Sequence, residues 1–293
     1  MRLIGVAVTL LAVSAQPPAG YRTAIEKYRH DRLEELTAPN GWLAVRGLFW
    51  LRDGANSAGS DPSSEIRLPS RAPKRLGVFT LKDRAVSFTA DPAAAVTAAG
   101  KPVTTLTLDP SGGEQTALVA AGVSLFMIRR AEKVGLRMLD PESPQRRGFA
   151  GLQYFPLNPA YHVQATFTPY DTPKQVPVPN VLGQLVPMES PGYVKFKIKG
   201  QSYRLEPVYE TSKHDDLFFI FKDLTSRTDT YEAGRFLHTP LPQNGMVDLD
   251  FNRAYNPPCA FTEFATCPLP VKENQLNVRL PAGELRFHMP VAK

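Results

Sequence analysis

From residue 42 onward, hydrophobic residues recur with a period of two in short runs. Segments such as EIRL, VFTL, AVSF, VTTLTL and VSLFMIRR are separated by turn signals, among them Arg52-Asp53-Gly54 and Ser111-Gly112-Gly113. That period sends successive side chains to opposite faces of a strand, and short strands at regular spacing predict a sandwich of two sheets. Residues 21–36 read differently. There Ile25, Tyr28 and Leu36 fall near one face of a helix, charged residues occupy the other, and Pro39-Asn40-Gly41 ends it. A lone helix of this length is marginal in water, so it is expected to pack against the β structure.

The second half again reads as strands. Val194, Phe196 and Ile198 alternate with Lys195, Lys197 and Lys199, and Gly200-Gln201 then turns the chain into a hairpin. Residues 217–221, LFFIF, are apolar throughout, which predicts a strand covered on both faces or lining a cavity. Val247, Leu249 and Phe251 alternate with Asp248, Asp250 and Asn252. A polar, Pro-rich crossing at residues 139–148 separates the halves. The expected fold is mainly β: an N-terminal helix within residues 16–40, a β-sandwich over 41–145, and a second antiparallel β domain over 146–293.

The N-terminus carries a different message. Arg2 precedes an apolar run at residues 3–13, and Val13-Ser14-Ala15 follows, which is the pattern of a secretory signal cleaved after Ala15. The run is too short to span a bilayer, which takes about 20 residues, and no later stretch approaches that length. The expected location is therefore outside the cytoplasm, periplasmic or secreted, with no transmembrane segment. The net charge of +6 is scattered through the chain with no nucleic-acid motif beside it, so nucleic acid is not an expected partner. In an exported chain, Cys259 and Cys267 are most simply a disulfide, closing a small loop and contributing about 2–3 kcal/mol. Two thiolates lack the further ligands that zinc requires, so no metal is expected.

Catalytic signatures are missing. Gly54 to Gly59 is one residue too long for a nucleophile elbow, and there is no S-x-x-K, H-E-x-x-H, phosphate-binding loop or dinucleotide fingerprint. No cofactor is expected. The five histidines, His30, His162, His214, His238 and His288, are widely spread, and His214-Asp215-Asp216 reads as a solvated turn. What remains is a polar set attached to strands: Arg137, Asp140, Asp223, Arg235, Asp250, Asn252, Tyr255 and Asn256. Asp250 and Asn252, two apart, are expected on one strand face, where with a neighbouring Arg they would orient a polar ligand. The alternative is that these side chains satisfy the backbone of a Pro-rich segment.

Two resemblances follow from particular stretches. Residues 54–61 (GANSAGSD) with EIRLP at 65–69 resemble the opening of a forkhead-associated domain, a β-sandwich family whose members often bind phosphothreonine. The arginine expected after the second glycine is Ser60 here, and no Ser-Arg-x-His follows at 70–80, which argues against phosphopeptide binding. TYEAGRFL, then LDFNRAYNPPCAFTEFATCPLP with ENQL and Ala282-Gly283-Glu284, resembles the signature of domain of unknown function family 1684. Upstream segments such as RMLDPESPQRRGFAGLQYFP match as well. The resemblance implies one recurrent unit and no activity.

Three functions are compatible with these residues. The leading expectation is a non-enzymatic protein binding a small polar ligand or a component of the cell envelope. The alternatives are a hydrolase using Asp250 with Asp223 or Glu284 as acid and base, and an interaction module presenting Phe261 and Phe264. Nothing in the sequence sets an oligomeric state.

Overall fold

The computed structural model describes residues 18–108 and 117–287. The signal pattern, the turn at 111–113 and His288 lie outside the described residues. The protein is mainly β, with one long helix at its N-terminal side and several antiparallel sheets.

Two sheets are built from the first half. A six-stranded sheet runs in the order Val45–Trp50, Lys133–Leu139, Val123–Arg130, Leu118–Ala120, Thr97–Ala98, Lys101–Pro102. A five-stranded sheet runs Ile66–Arg67, Gly54–Gly59, Gly77–Lys82, Ala85–Ala90, Thr105–Leu108. The period of two does what it should: Phe79, Val86 and Phe88 point inward from the second sheet and meet Leu118, Leu125 and Leu136 of the first in one core. Phe79 and Phe88 are cross-strand partners with ring centroids 4.7 Å apart.

The second half holds a four-stranded sheet in the order Gln201–Leu205, Leu185–Ile198, His162–Pro179, Met246–Asp250. Beside it lies a two-stranded hairpin, Asp216–Phe221 with Arg235–Pro240. The unbroken apolar run of this hairpin has a direct cause. Leu217, Phe219 and Phe221 pack on the four-stranded sheet, whereas Phe218 and Ile220 face a second cluster that includes Ala265 and Cys267. Both faces are covered, so no polar position is allowed between them.

The helix Ala19–Thr37 buries Ile25 and Leu36, as its pattern predicts, and also Arg32, which the pattern does not. Its end is fixed by close packing. A side chain at Gly41 would put a carbon 2.4 Å from the Glu35 carbonyl oxygen, so only glycine lets the chain fold back there.

Deep in the second half lies a fully buried ion pair. Arg235 Nη2 donates to Asp223 Oδ1 at 3.1 Å, with both side chains at 0% exposure. The environment completes it: Arg235 also donates to the carbonyls of Ala282 and Leu280, and Asp223 accepts from the Leu280 N–H at 2.7 Å and the Thr225 hydroxyl at 2.8 Å. Removing one member of such a pair leaves a desolvated charge behind. Arg235→Leu is therefore expected to cost about 3–5 kcal/mol, measured by urea unfolding of the two proteins side by side.

Candidate functional site

A cleft of about 690 Å³ opens between the N-terminal helix and the Asp216–Phe221/Arg235–Pro240 hairpin. Tyr28, Asp31, Arg32 and Glu35 form the helix wall because their spacing of three and four puts them on one face. Trp42 closes one end, and Tyr255 and Phe236 supply aromatic surface.

Opposite the helix the hairpin register assembles a titratable trio. Phe218 pairs with His238 and Asp216 with Pro240, so Asp216 and His238 are diagonal neighbours on one face. His238 Nδ1 lies 2.6 Å from Asp216 Oδ2, and Nε2 lies 3.6 Å from Glu210 Oε2. The imidazole is stacked on Phe218 at 4.6 Å and lies nearly parallel to the Tyr255 ring at 6.1 Å. Burial pushes the Glu210 carboxyl above the ordinary range; His238 opposes this and Asp216 adds to it. Burial likewise raises the Tyr255 phenol.

Five carboxylates line the cleft: Asp31, Glu35, Glu210, Asp215 and Asp216. Its two arginines are already paired, Arg32 in part within the cleft, where Nη1 donates to Glu35 Oε2 at 3.4 Å. Arg32 donates to Glu284 Oε1 at 3.4 Å and to the Asn256 carbonyl at 3.2 Å, with its guanidinium 4.5 Å from the Tyr255 ring centre. Arg253 Nε lies 3.6 Å from Asp250 Oδ2. The cleft is thus an acidic, aromatic surface in a chain of net positive charge. Among the described residues, no group of His, Cys, Asp and Glu is arranged to hold a metal.

Of the polar residues singled out from the sequence, only Tyr255 lines this cleft; the others lie elsewhere, and all but Arg137 are hydrogen-bonded within the fold. Asp250 accepts from the Tyr21 hydroxyl at 2.9 Å and caps a short turn through the Asn252 N–H at 3.0 Å. The expected shared strand face does not exist, because the strand Met246–Asp250 ends there and Asn252 sits in a 3₁₀ turn, Phe251–Arg253. Asn252 holds the 158 backbone from both sides, donating to the Asn158 carbonyl at 2.9 Å and accepting its N–H at 3.1 Å. Asn256 donates to Glu284 Oε2 at 3.0 Å and to the Leu285 carbonyl at 2.7 Å. Asp223 and Arg235 form the buried pair described above. Asp140 belongs to the first half; burial works to raise its carboxyl, but hydrogen bonds from Arg71 hold it low. Arg137 lies 4.9 Å from the Trp42 ring centre, and burial lowers its pKa to about 10.

The cysteines expected to pair are brought together. Cys259 and Cys267 are free thiols, set face to face by reciprocal contacts: the Cys259 N–H reaches Cys267 Sγ at 3.1 Å and the Cys267 N–H reaches Cys259 Sγ at 3.4 Å. Phe261 is buried against Leu36 and Leu43 and Phe264 is half-buried, which leaves the loop little exposed aromatic surface for docking.

His238, Asp216 and Glu210 were missed from the sequence because each looked ordinary alone. For two of them the signal was present: two consecutive strands, DLFFIF and RFLHTP, with Asp216 and His238 near the hairpin's open end.

Residues 147–285 match the model of a family described as "Protein of unknown function (DUF1684)". The chain belongs to this family. The DUF1684 match takes in the hairpin, the trio and the cysteine loop, but not the helix wall. A solution NMR structure of an uncharacterized protein from Haloarcula marismortui is 32% identical, with 50% of this chain and 82% of that one covered. Its TM-score of 0.41 adds nothing to the account of the fold. None of the curated proteins matches.

The helix wall depends on a buried charge. Glu284, fully buried, is the counter-charge of Arg32. Glu284→Ala is expected to strand that arginine, lowering stability by about 3–5 kcal/mol and making Ala19–Thr37 the first segment cut in limited proteolysis.

Proposed function

We propose that this protein binds a small organic cation, an amine or quaternary ammonium, in the cleft between the N-terminal helix and the hairpin. The observation that carries this reading is the surplus of carboxylates over cations on an aromatic lining: Asp31 is met by Lys27 and Glu35 by Arg32, and among the described residues Glu210, Asp215 and Asp216 have no Lys or Arg partner. Carboxylates neutralise the ligand's charge, while the rings of Tyr255, Trp42 and Tyr28, which already face Arg32, Arg137 and Arg253, supply apolar surface for its carbon atoms. A pocket of this size, apolar in large part with a few convergent polar groups, is the usual form of a small-molecule site.

Protonation gives the reading a sign. Glu210 faces His238, Asp216 and Glu35, and its raised pKa means that it holds a proton above the ordinary carboxylate range. A bound cation favours the ionised carboxylate, so binding expels that proton. Affinity is expected to rise as pH climbs through the raised value and then to level off. In the free protein the same shift means that stability is lost as pH rises through that value. Calorimetric titration with spermidine and with choline at several pH values checks the sign. Glu210→Gln is expected to weaken binding about tenfold and to flatten the profile. Stabilisation by neutral sugars or acidic metabolites, with none by cations, would overturn the reading.

A second reading, acid–base hydrolysis, is favoured by the same trio. Glu210, whose carboxyl is pushed upward by burial, would donate to a leaving group, and His238, oriented by Asp216, would take a proton from water. Turnover abolished by His238→Ala in a folded protein separates it from simple binding. The carboxylates expected from the sequence for this role, Asp250, Asp223 and Glu284, are buried and bonded within the fold.

We infer export from the pattern at residues 1–15, and a component of the envelope as the source of the ligand. No helix of the described residues is long and apolar enough to cross a membrane. N-terminal sequencing of protein recovered from the cell envelope is expected to begin at Gln16; a chain that retains residue 1 there would count against export.

A further inference from the structure

The cysteine loop carries a chemistry that the cleft does not use. Its two thiols lie within one short segment, their backbone N–H groups crossed onto each other's sulfur. The segment between them is held in place. The Thr262 hydroxyl donates to the Val45 carbonyl at 3.1 Å, and Ala260 and Phe261 are packed under the helix end. The two sulfurs differ in access, Cys259 being half-buried and Cys267 buried.

The second observation is a cation without an acceptor. Arg137 is 6% exposed, and its Nε and Nη2 make no hydrogen bond. The side chain lies between Trp42 and Phe126, and its charge acts on both thiols; Arg130, whose Nε donates to the Thr266 hydroxyl, faces Cys267 as well, and the Tyr231 hydroxyl donates to the Cys259 carbonyl. A buried guanidinium with unused donors is costly, and it is relieved when a negative charge forms beside it. A thiolate is such a charge. The hydrogen bond from Cys267 lowers Cys259, with Arg137 acting the same way, while giving that bond and burial raise Cys267.

We propose that Cys259 and Cys267 form a reversible dithiol–disulfide pair in which Cys259 attacks and Cys267 resolves. The oxidant is a small-molecule disulfide, RSSR. The Cys259 thiolate bonds to one sulfur of RSSR, the S–S bond breaks, and RS⁻ leaves and takes a proton from solvent. Cys267 then gives up its proton, and its sulfur bonds to Cys259 and displaces the second RS⁻ from the mixed disulfide. The protein loses two protons and two electrons, and RSSR is reduced to two RSH. Arg137 serves as a positioning charge that keeps the attacking sulfur ionised.

The test uses the full chain and oxidised glutathione as the probe, read by intact mass and peptide mapping. Wild type is expected to lose both thiols and two hydrogens, with an internal Cys259–Cys267 link and no lasting adduct. Cys267→Ser is expected to stop at one glutathione on Cys259, and Cys259→Ser to leave Cys267 unmodified over the same time. Arg137→Gln is expected to slow the Cys259 reaction about threefold to tenfold at neutral pH and to move its pH–rate profile to higher pH, a shift that a merely structural role would not produce. The proposal is overturned if wild type keeps both thiols or accumulates stable adducts. It is also overturned if Cys267 alone reacts as fast as Cys259 alone, or if the profile of the Arg137 variant does not move. The wild-type link decides the matter by itself should a variant fail to fold.

Discussion

A buried negative charge at Glu284 sets the terms for the region around the cleft. Its carboxylate has no water to fall back on, so it must be met by donors, and three groups converge on it: the Arg32 guanidinium and the backbone and side-chain N–H of Asn256. Arg32 arrives from the N-terminal helix, and that contact seats the helix over Tyr255. The backbone is adapted to the same point. At Gly283 the chain passes so near the Ala254 carbonyl that a β-carbon would sit 2.3 Å from its oxygen, with φ at +80°. One wall of the cleft therefore stands where it does because a carboxylate on the far side of the chain needs a partner.

The same logic explains why so many conspicuous polar residues are not at the cleft. A segment crowded with prolines has few backbone N–H groups for ladder bonding and must satisfy its carbonyls and turns with side chains. Asp250, Asn252, Asn256 and Asp223 meet that demand, each closing a turn or holding a neighbouring strand end. Their chemistry is consumed locally. The residues left with chemistry to spare are the plainer ones at the hairpin's end, where a strand pair opens to solvent.

How much of this was legible in the sequence follows from the range of each signal. Strand alternation is a local property, and Phe79, Phe88, Val194 and Phe196 point inward as their spacing says. The unbroken LFFIF run announced a two-sided burial correctly for the same reason. Arg32 was hidden because helix periodicity assigns a charged residue to the wet face, and only Glu284, 252 positions away, makes burial tolerable. Asp216 and His238 needed the hairpin register, and Asn252 needed the end of its strand, neither of which a pattern of types encodes. The cysteines were legible as a pair in space; their oxidation state is a property of the surroundings, not of spacing.

The reach of the helix contacts has a temporal side. Tyr21 and Arg32 bond to residues 229 and 252 positions downstream, which leave the ribosome long after the helix does. A helix of this length is marginal in water, so during synthesis its seating waits until Asp250 and Glu284 have appeared. Closure of the cleft is thereby placed late in folding, after the sheets exist. Under the export proposed above, such a delay would be an advantage: the helix stays pliable until everything it must embrace has arrived.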